Sequence, residues 1–231
     1  MTILSRPPMN TPSHIPFRIA TLVLATFLGT QCIWLLLAEL FRPSAIRLPT
    51  DPQRAGIVAE HRNAATSAAW IGVIRGDLWA ESAFTYANLL WTDSTNNSEL
   101  AHLVDQGHAR LDRAVLYAPH QTGAWLLLAG FASRYRWSKH DAAEALRMSY
   151  YTGPSELPLM PIRSLVAGQL PALDAELQQF VRRDLRVLTR QEKPAVIQAY
   201  QSATKAGKQF IEQAVGEIDP IFAKTLRLGA Q

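Results

Sequence analysis

The chain has 231 residues, 48% of them hydrophobic, with 23 lysines and arginines against 19 acidic residues. That composition excludes the disordered, collagenous and disulfide-rich classes, and it leaves room for one good-sized domain with an anchor or for two small domains. The basic excess is weak and the two signs are interleaved, which speaks against a nucleic-acid binder, whose basic residues cluster on one element.

The first segment, residues 1–16, is short and proline-rich and reads as a disordered tail. A membrane anchor over residues 17–41 follows, with twenty uncharged residues from Ile19 to Ala38 between Arg18 and Glu39. At about 1.5 Å per residue such a helix spans roughly 30 Å, the thickness of a bilayer's hydrocarbon core. A cleaved signal peptide is the rival reading, but the apolar run is longer than a signal peptide's and no clean small-x-small cleavage site follows it. Cys32, the single cysteine, lies inside this run and cannot form an intrachain disulfide. Arg42, Arg47 and Arg54 outnumber Arg6 and Arg18, which by the positive-inside rule holds the large domain in the cytoplasm. Long domains translocate largely regardless of flanking charge, and an N-terminal signal-anchor feeds export, so the expectation is a domain on the non-cytoplasmic side of the plasma (inner) membrane. Within the span, Ala25 and Gly29 make a small-xxx-small step and Gln31 adds an intramembrane amide, a pattern shared by packed spans and by lipid-facing helices with one tolerated polar residue.

After a linker at residues 42–51 the chain reads as helices throughout. Asp51 and Pro52 open one that stops at Gly76, and Asp77 caps the next, through "LWAESAFTYANLLW". The loop "TDSTNN" separates it from a helix that starts at Ser98 and Glu99 and ends before Pro119. A longer, apolar stretch from Gly123 precedes Ser138, which with Asp141 forms a capping-box pattern in front of "AAEALRMSYY", and Gly153 and Pro154 terminate that helix. Further helices are expected around "LMPIRSLVA", over "PALDAELQQFVRRDLRVLTR", from Pro194, around "KQFIEQAV", and from Asp219 and Pro220 to Gly229. No run alternates with period two between hairpin turns, so the expected class is all-α.

Between Trp125 and Pro154, bulky and small residues alternate at helical spacing: Trp125, Leu128, Ala129 and Ala132, then a polar turn, then Ala142 and Leu146. This pattern resembles the tetratricopeptide repeat. Gly107, Leu111, Ala114 and Pro119 match the second helix of the preceding unit, and Trp79, Ala83 and Tyr86 match its first. Ala132 and Ser82 depart from the pattern, and the loop before Ser98 breaks the period. The resemblance implies stacked antiparallel helical hairpins, a TPR-like α-solenoid over residues 52–170, with residues 171–231 as a C-terminal extension or cap. Its uncharged run from Thr122 to Ser133 is too short for a second span.

No motif for catalysis, cofactor or metal binding stands out: there is no GxSxG, phosphate-binding glycine loop, G-x-G-x-x-G or HExxH. His102 and His108, six apart, fall on different helix faces and read as surface polar residues, as do Glu60 and His61. Asp174 and Glu176 are two apart on a helix and are expected to diverge. The tryptophans, Trp70 and Trp79 among them, are expected mostly in the core. Two surfaces remain. Tyr150, Tyr151, Leu157, Leu159 and Met160 surround the turn "TGPSE" and form either a packed inter-repeat turn or an adhesive edge for a partner. Arg182, Arg186 and Arg190 step by four along one helix face, which serves either as a solvated stripe or as a contact for anionic lipid or acidic polysaccharide.

These features are expected of a membrane-anchored scaffold or accessory subunit that touches the lipid bilayer through residues 19–38 and binds a membrane-resident protein partner, by family analogy in a cell-envelope or polysaccharide assembly. The alternative is a ligand-binding protein or enzyme with its site between hairpins. A deep polar pocket with converging ionisable groups would favour it.

Overall fold

Side-chain caps set the starts of four helices, as a computed structural model of the chain shows; the structure describes residues 15–43, 46–48, 57–58, 60–90, 98–135 and 139–228. Among these residues there are eleven α-helices and no strand: α1 (Ile15–Phe41), α2 (Arg62–Ile71), α3 (Gly76–Phe84), α4 (Ser98–Tyr117), α5 (Thr122–Tyr135), α6 (Ala142–Thr152), α7 (Met160–Gln169), α8 (Ala175–Gln191), α9 (Lys193–Ser202), α10 (Lys205–Gly216) and α11 (Pro220–Leu228). The carboxylate of Asp141 accepts the Glu144 N–H, that of Asp174 accepts the Leu177 N–H, and the Thr204 hydroxyl accepts the Gly207 N–H. Each satisfies one of the donors that a helix start leaves without an intrahelical partner. Asp219 does the same for Phe222, and Pro194 and Pro220 stand in first turns, where a missing N–H costs nothing.

Several boundaries differ from the sequence reading. The expected helix ending at Gly76 is α2, which ends at Ile71; Asp51 and Pro52, its expected start, lie outside the described residues. Gly76 opens α3 instead of closing α2, with Arg75 at the cap position and Asp77 inside the first turn. Past Phe84 the chain tightens into a 3-10 turn over Ala87–Leu90. The cap of α6 is Asp141, whereas Ser138, like Trp91, Trp137 and Gly229, lies outside the described residues.

The helices pack largely in chain order: α1 on α2, α2 on α3, α3 along α4, α4 on α5 and α5 along α6. Helix α7 breaks that order by touching α5, α6, α8, α9 and α10. It earns this place by composition, because every residue from Met160 to Gly168 is buried. Trp79, Tyr86, Leu111, Phe131, Leu146 and Tyr150 are among the largest fully buried side chains of the core. Small residues set the closest approaches. A Cβ at Gly207 would meet the Gly168 carbonyl, to which Thr204 also donates its N–H at 2.9 Å, so α10 crosses α7 backbone to backbone. Gly207→Ala is therefore expected to cost about 1–3 kcal/mol in urea unfolding, since the atom in the way is main chain. Gly216→Ala, where a Cβ meets only the Ala223 methyl at 3.9 Å, is the control and should be neutral or slightly stabilising. Equal effects at the two positions would contradict the crossing.

Candidate membrane-proximal site

Helix α1 is the one described helix long and apolar enough to cross a membrane, over Pro16–Phe41, and its large apolar side chains from Phe17 to Leu28 are all exposed. Its last turns behave differently. Gln31, Trp34 and Ala38 share a face by their spacing, and that face turns progressively inward, with Gln31 and Trp34 half-buried and Ala38 buried. The surface that receives it is α2, whose buried residues are Ala65, Ala68 and Ala69, small enough to let a second helix come close. The Trp34 indole N–H closes the contact by donating to the Ile71 carbonyl at 2.7 Å.

Charges lock the junction just beyond the apolar run. Arg75 donates to Glu39 Oε1 at 2.6 Å and grips Asp77 with two nitrogens, at 2.6 and 3.2 Å. Arg42 donates to Glu39, forms a two-nitrogen pair with Glu81, including Nε to Oε2 at 2.9 Å, and lies 3.7 Å from Asp77. Burial pushes the Asp77 carboxyl up, but Arg75 and Arg42 more than offset this and hold it below its ordinary value. Bonding to Glu81 raises the Arg42 pKa, and bonding to Asp77 raises that of Arg75. Isolated surface pairs contribute little; two-pronged arginine contacts in a connected, partly buried set are the exception.

The linker is tied down as well. Ile46 and Leu48 are buried against the domain, and they, Arg42, Glu81, Phe84 and Glu156 help to line a cleft of about 440 Å³. Helix α1, the segment that follows it and the domain are thus joined by packing as well as by chain connectivity.

The residues singled out from sequence fall into separate places. In α1, Ala25 and Gly29 are exposed and a Cβ at Gly29 would meet nothing within 4 Å, while Gln31 is half-buried. At the expected adhesive edge the structure corrects the reading: Tyr150, Leu159 and Met160 are buried, and only Tyr151 (53% exposed) and Leu157 (55%) reach solvent. Tyr150 is held inside by stacking on Phe180, with ring centroids 5.0 Å apart. On α8, Arg186 and Arg190 are exposed, but Arg182 is half-buried, bonded to Glu217 at 2.6 Å and laid over the Phe210 ring. Helix α8 packs against α6, α7, α9 and α10, at the other end of the helix order from α1.

Three further readings need correction. His108 is buried, edge-on to Phe131, because its side of α4 faces α5, and burial lowers its pKa to about 4. Asp174 and Glu176 converge, since Arg147 from α6 reaches both and also pairs with Glu144. Trp70 is 55% exposed even though its ring meets Trp79 edge-on.

The sequence reading passed over the buried polar cluster between α6, α7 and α8. Arg163, with no exposed surface, donates from Nε to Ser149 Oγ at 3.1 Å and from Nη2 to the carbonyls of Ser149 and Gly153, each at 2.7 Å. Asp184, equally buried, lies 3.6 Å from Arg183, and burial pushes its carboxyl up to about 6 against the pull of Arg163, Tyr150 and Arg183. Among the described residues no group of three or more histidine, cysteine, aspartate and glutamate side chains is placed to hold a metal ion. The chain matches no protein-family model, no curated protein and no solved structure.

Proposed function

We propose that the chain is a single-pass protein of the plasma membrane whose helical domain, stacked from hairpins of tetratricopeptide type on the non-cytoplasmic side, is a scaffold or accessory subunit for a membrane-resident protein partner, in a cell-envelope or polysaccharide assembly. The observation that carries this reading is the docked anchor: Trp34 bonded to Ile71, and Glu39 and Arg42 tied to Arg75, Asp77 and Glu81. A tether that only retained a domain at the membrane needs no such junction. A domain held in one attitude beside the bilayer presents the same surface to every partner in that membrane, which raises its effective concentration and removes part of the orientational cost of binding.

The partner surface that remains of the predicted edge is Tyr151 with Leu157, flanked by the Arg147 cluster. Mild-detergent co-purification of the tagged full-length chain, beside a Tyr151→Ala, Leu157→Ala variant, tests it. The expected result is one stoichiometric membrane protein bound to the parent and lost from the variant. A chain that purifies alone in both forms overturns the scaffold reading. The cleft beside Arg42, Glu81 and Glu156 favours the second reading, a small polar ligand, because ionisable groups converge there in a volume of ligand size. Thermal stabilisation by a charged small molecule in a chain that purifies without a partner would favour it.

A further inference from the structure

The turn between α2 and α3 carries three exposed apolar side chains in a run of five residues: Trp70 (55% exposed), Val73 (48%) and Ile74 (63%). Its height along α1 is fixed at both ends. Ile71 is bonded to Trp34 and Arg75 to Glu39, so the turn spans the five-residue step on α1 from Trp34 to Glu39, about 7.5 Å of helix axis. Trp34 lies inside the uncharged run that ends at Ala38, and Glu39 is the first charge beyond it. The apolar side chains of the turn therefore stand beside the final part of the hydrophobic stretch, and the charges of Glu39, Arg42 and Arg75 mark its edge.

A second apolar pair extends the patch. Helix α4 ends beside the start of α3, where a Cβ at Gly76 would collide with the Ala118 backbone, and there Leu116 (70% exposed) and Tyr117 (43%) are turned outward. Arg113, one turn earlier, lies over the Trp70 and Trp79 rings at 4.3 and 4.4 Å.

The backbone of the turn is prepared for a medium poor in water. Trp34 donates to the Ile71 carbonyl and Trp79 to the Val73 carbonyl, both at 2.7 Å, the Gly72 carbonyl accepts the Arg75 N–H, and the Arg75 carbonyl accepts from Leu78 and Trp79. Non-helical backbone near hydrocarbon needs such internal partners, because an unsatisfied carbonyl there costs several kcal/mol. A turn meant for water has no need of two indoles to close its carbonyls.

We propose that this turn is a second membrane contact: Trp70, Val73 and Ile74, with Leu116 and Tyr117, lie in the interfacial layer of the same bilayer that α1 crosses. The occupant of the patch is lipid, because the patch is continuous with the apolar surface of the span and lies at its level. Tryptophan and tyrosine favour the headgroup boundary, and Arg113, half-buried over the Trp70 ring, is the basic side chain beside them. The inference rests on the membrane-span reading of α1.

Depth-dependent fluorescence separates the two. In the full-length chain with Cys32→Ser, single substitutions Val73→Cys, Ile74→Cys, Leu28→Cys and Arg190→Cys carry an environment-sensitive label in phosphatidylcholine–phosphatidylglycerol vesicles, with helix content checked against the parent. Position 28 reports the span and position 190 reports water. Labels at 73 and 74 are expected to shift to the blue and to be quenched most by lipids bearing a nitroxide near the headgroup, while 28 is quenched most by a deep nitroxide. Labels at 73 and 74 that behave like the one at 190, with 28 still deep, overturn the second contact and leave the span intact. A label at 28 that lipid does not quench overturns the span reading and the second contact with it.

Discussion

Arg163→Met is expected to destabilise the protein by about 3–5 kcal/mol, a large part of what a domain of this size possesses. The side chain has no exposed surface and donates to Ser149 Oγ and to the Ser149 and Gly153 carbonyls at the end of α6. There it completes the carbonyls that a helix end leaves without partners, and its positive charge lies favourably against the negative end of the helix dipole. Its loss leaves two carbonyls and the Asp184 carboxylate buried with less compensation, so the penalty is chiefly that of stranded groups. Asp184→Leu added to Arg163→Met should then recover part of the loss, because removing both charges is far cheaper than removing one. Urea unfolding of the two single variants and the double variant closes the cycle. Costs that simply add would mean that Arg163 and Asp184 do not act on each other, and the cluster would have to be explained residue by residue.

How much of this was legible in the sequence depends on how local the signal is. The caps at Asp174, Thr204 and Asp219 act within three residues, yet of these only the one at Asp219 was read from the chain. Gly76 misled because a glycine that ends a helix and one that admits a neighbouring backbone look the same, and here it admits Ala118. Tyr150 and Met160 misled for a related reason: the turn between them is rich in proline and glycine, but burial is decided by α7 and α8, which arrive later in the chain. Arg163 did carry a signal, as the one charge in the mostly apolar run from Met160 to Gly168. So did Asp184, which falls on the same stripe as Leu177, Val181, Leu185 and Leu188. A charge in an apolar stripe is evidence of a buried partner, whereas of the step-of-four arginines that drew attention Arg186 and Arg190 lie on the solvent side of the same helix. The docking of α1 on α2 had only a faint trace, the spacing of Gln31, Trp34 and Ala38, because the apolar run around it hides a face turned toward protein among exposed apolar faces.

Two of the buried ionisable groups, His108 and Asp184, should give the stability of the protein an unusual pH dependence. His108 ordinarily titrates at 6.5, and burial holds its folded value to about 4, opposed by Asp105 and Asp112 and aided by His140. The unfolded chain takes up this proton first, so the His108 contribution is present above pH 6.5 and is lost as pH falls toward about 4. Asp184 has the opposite sign. Its unfolded carboxyl titrates at 3.8 and its folded one at about 6, so its contribution is full below 3.8 and is lost as pH rises through about 6. Each amounts to roughly 3 kcal/mol, and over the shared window from about pH 4 to 6 they largely cancel. Single substitutions remove the cancellation. In Asp184→Asn the histidine acts alone and urea stability should rise with pH across that window. In His108→Gln the carboxyl acts alone and stability should fall. Carboxylates outside the core, such as Asp174 and Asp219, contribute to both variants alike, so the difference between the two slopes isolates the buried pair. Slopes that run parallel would mean that neither group is held away from its ordinary value, and the interior around α4 and α8 would then have to admit water.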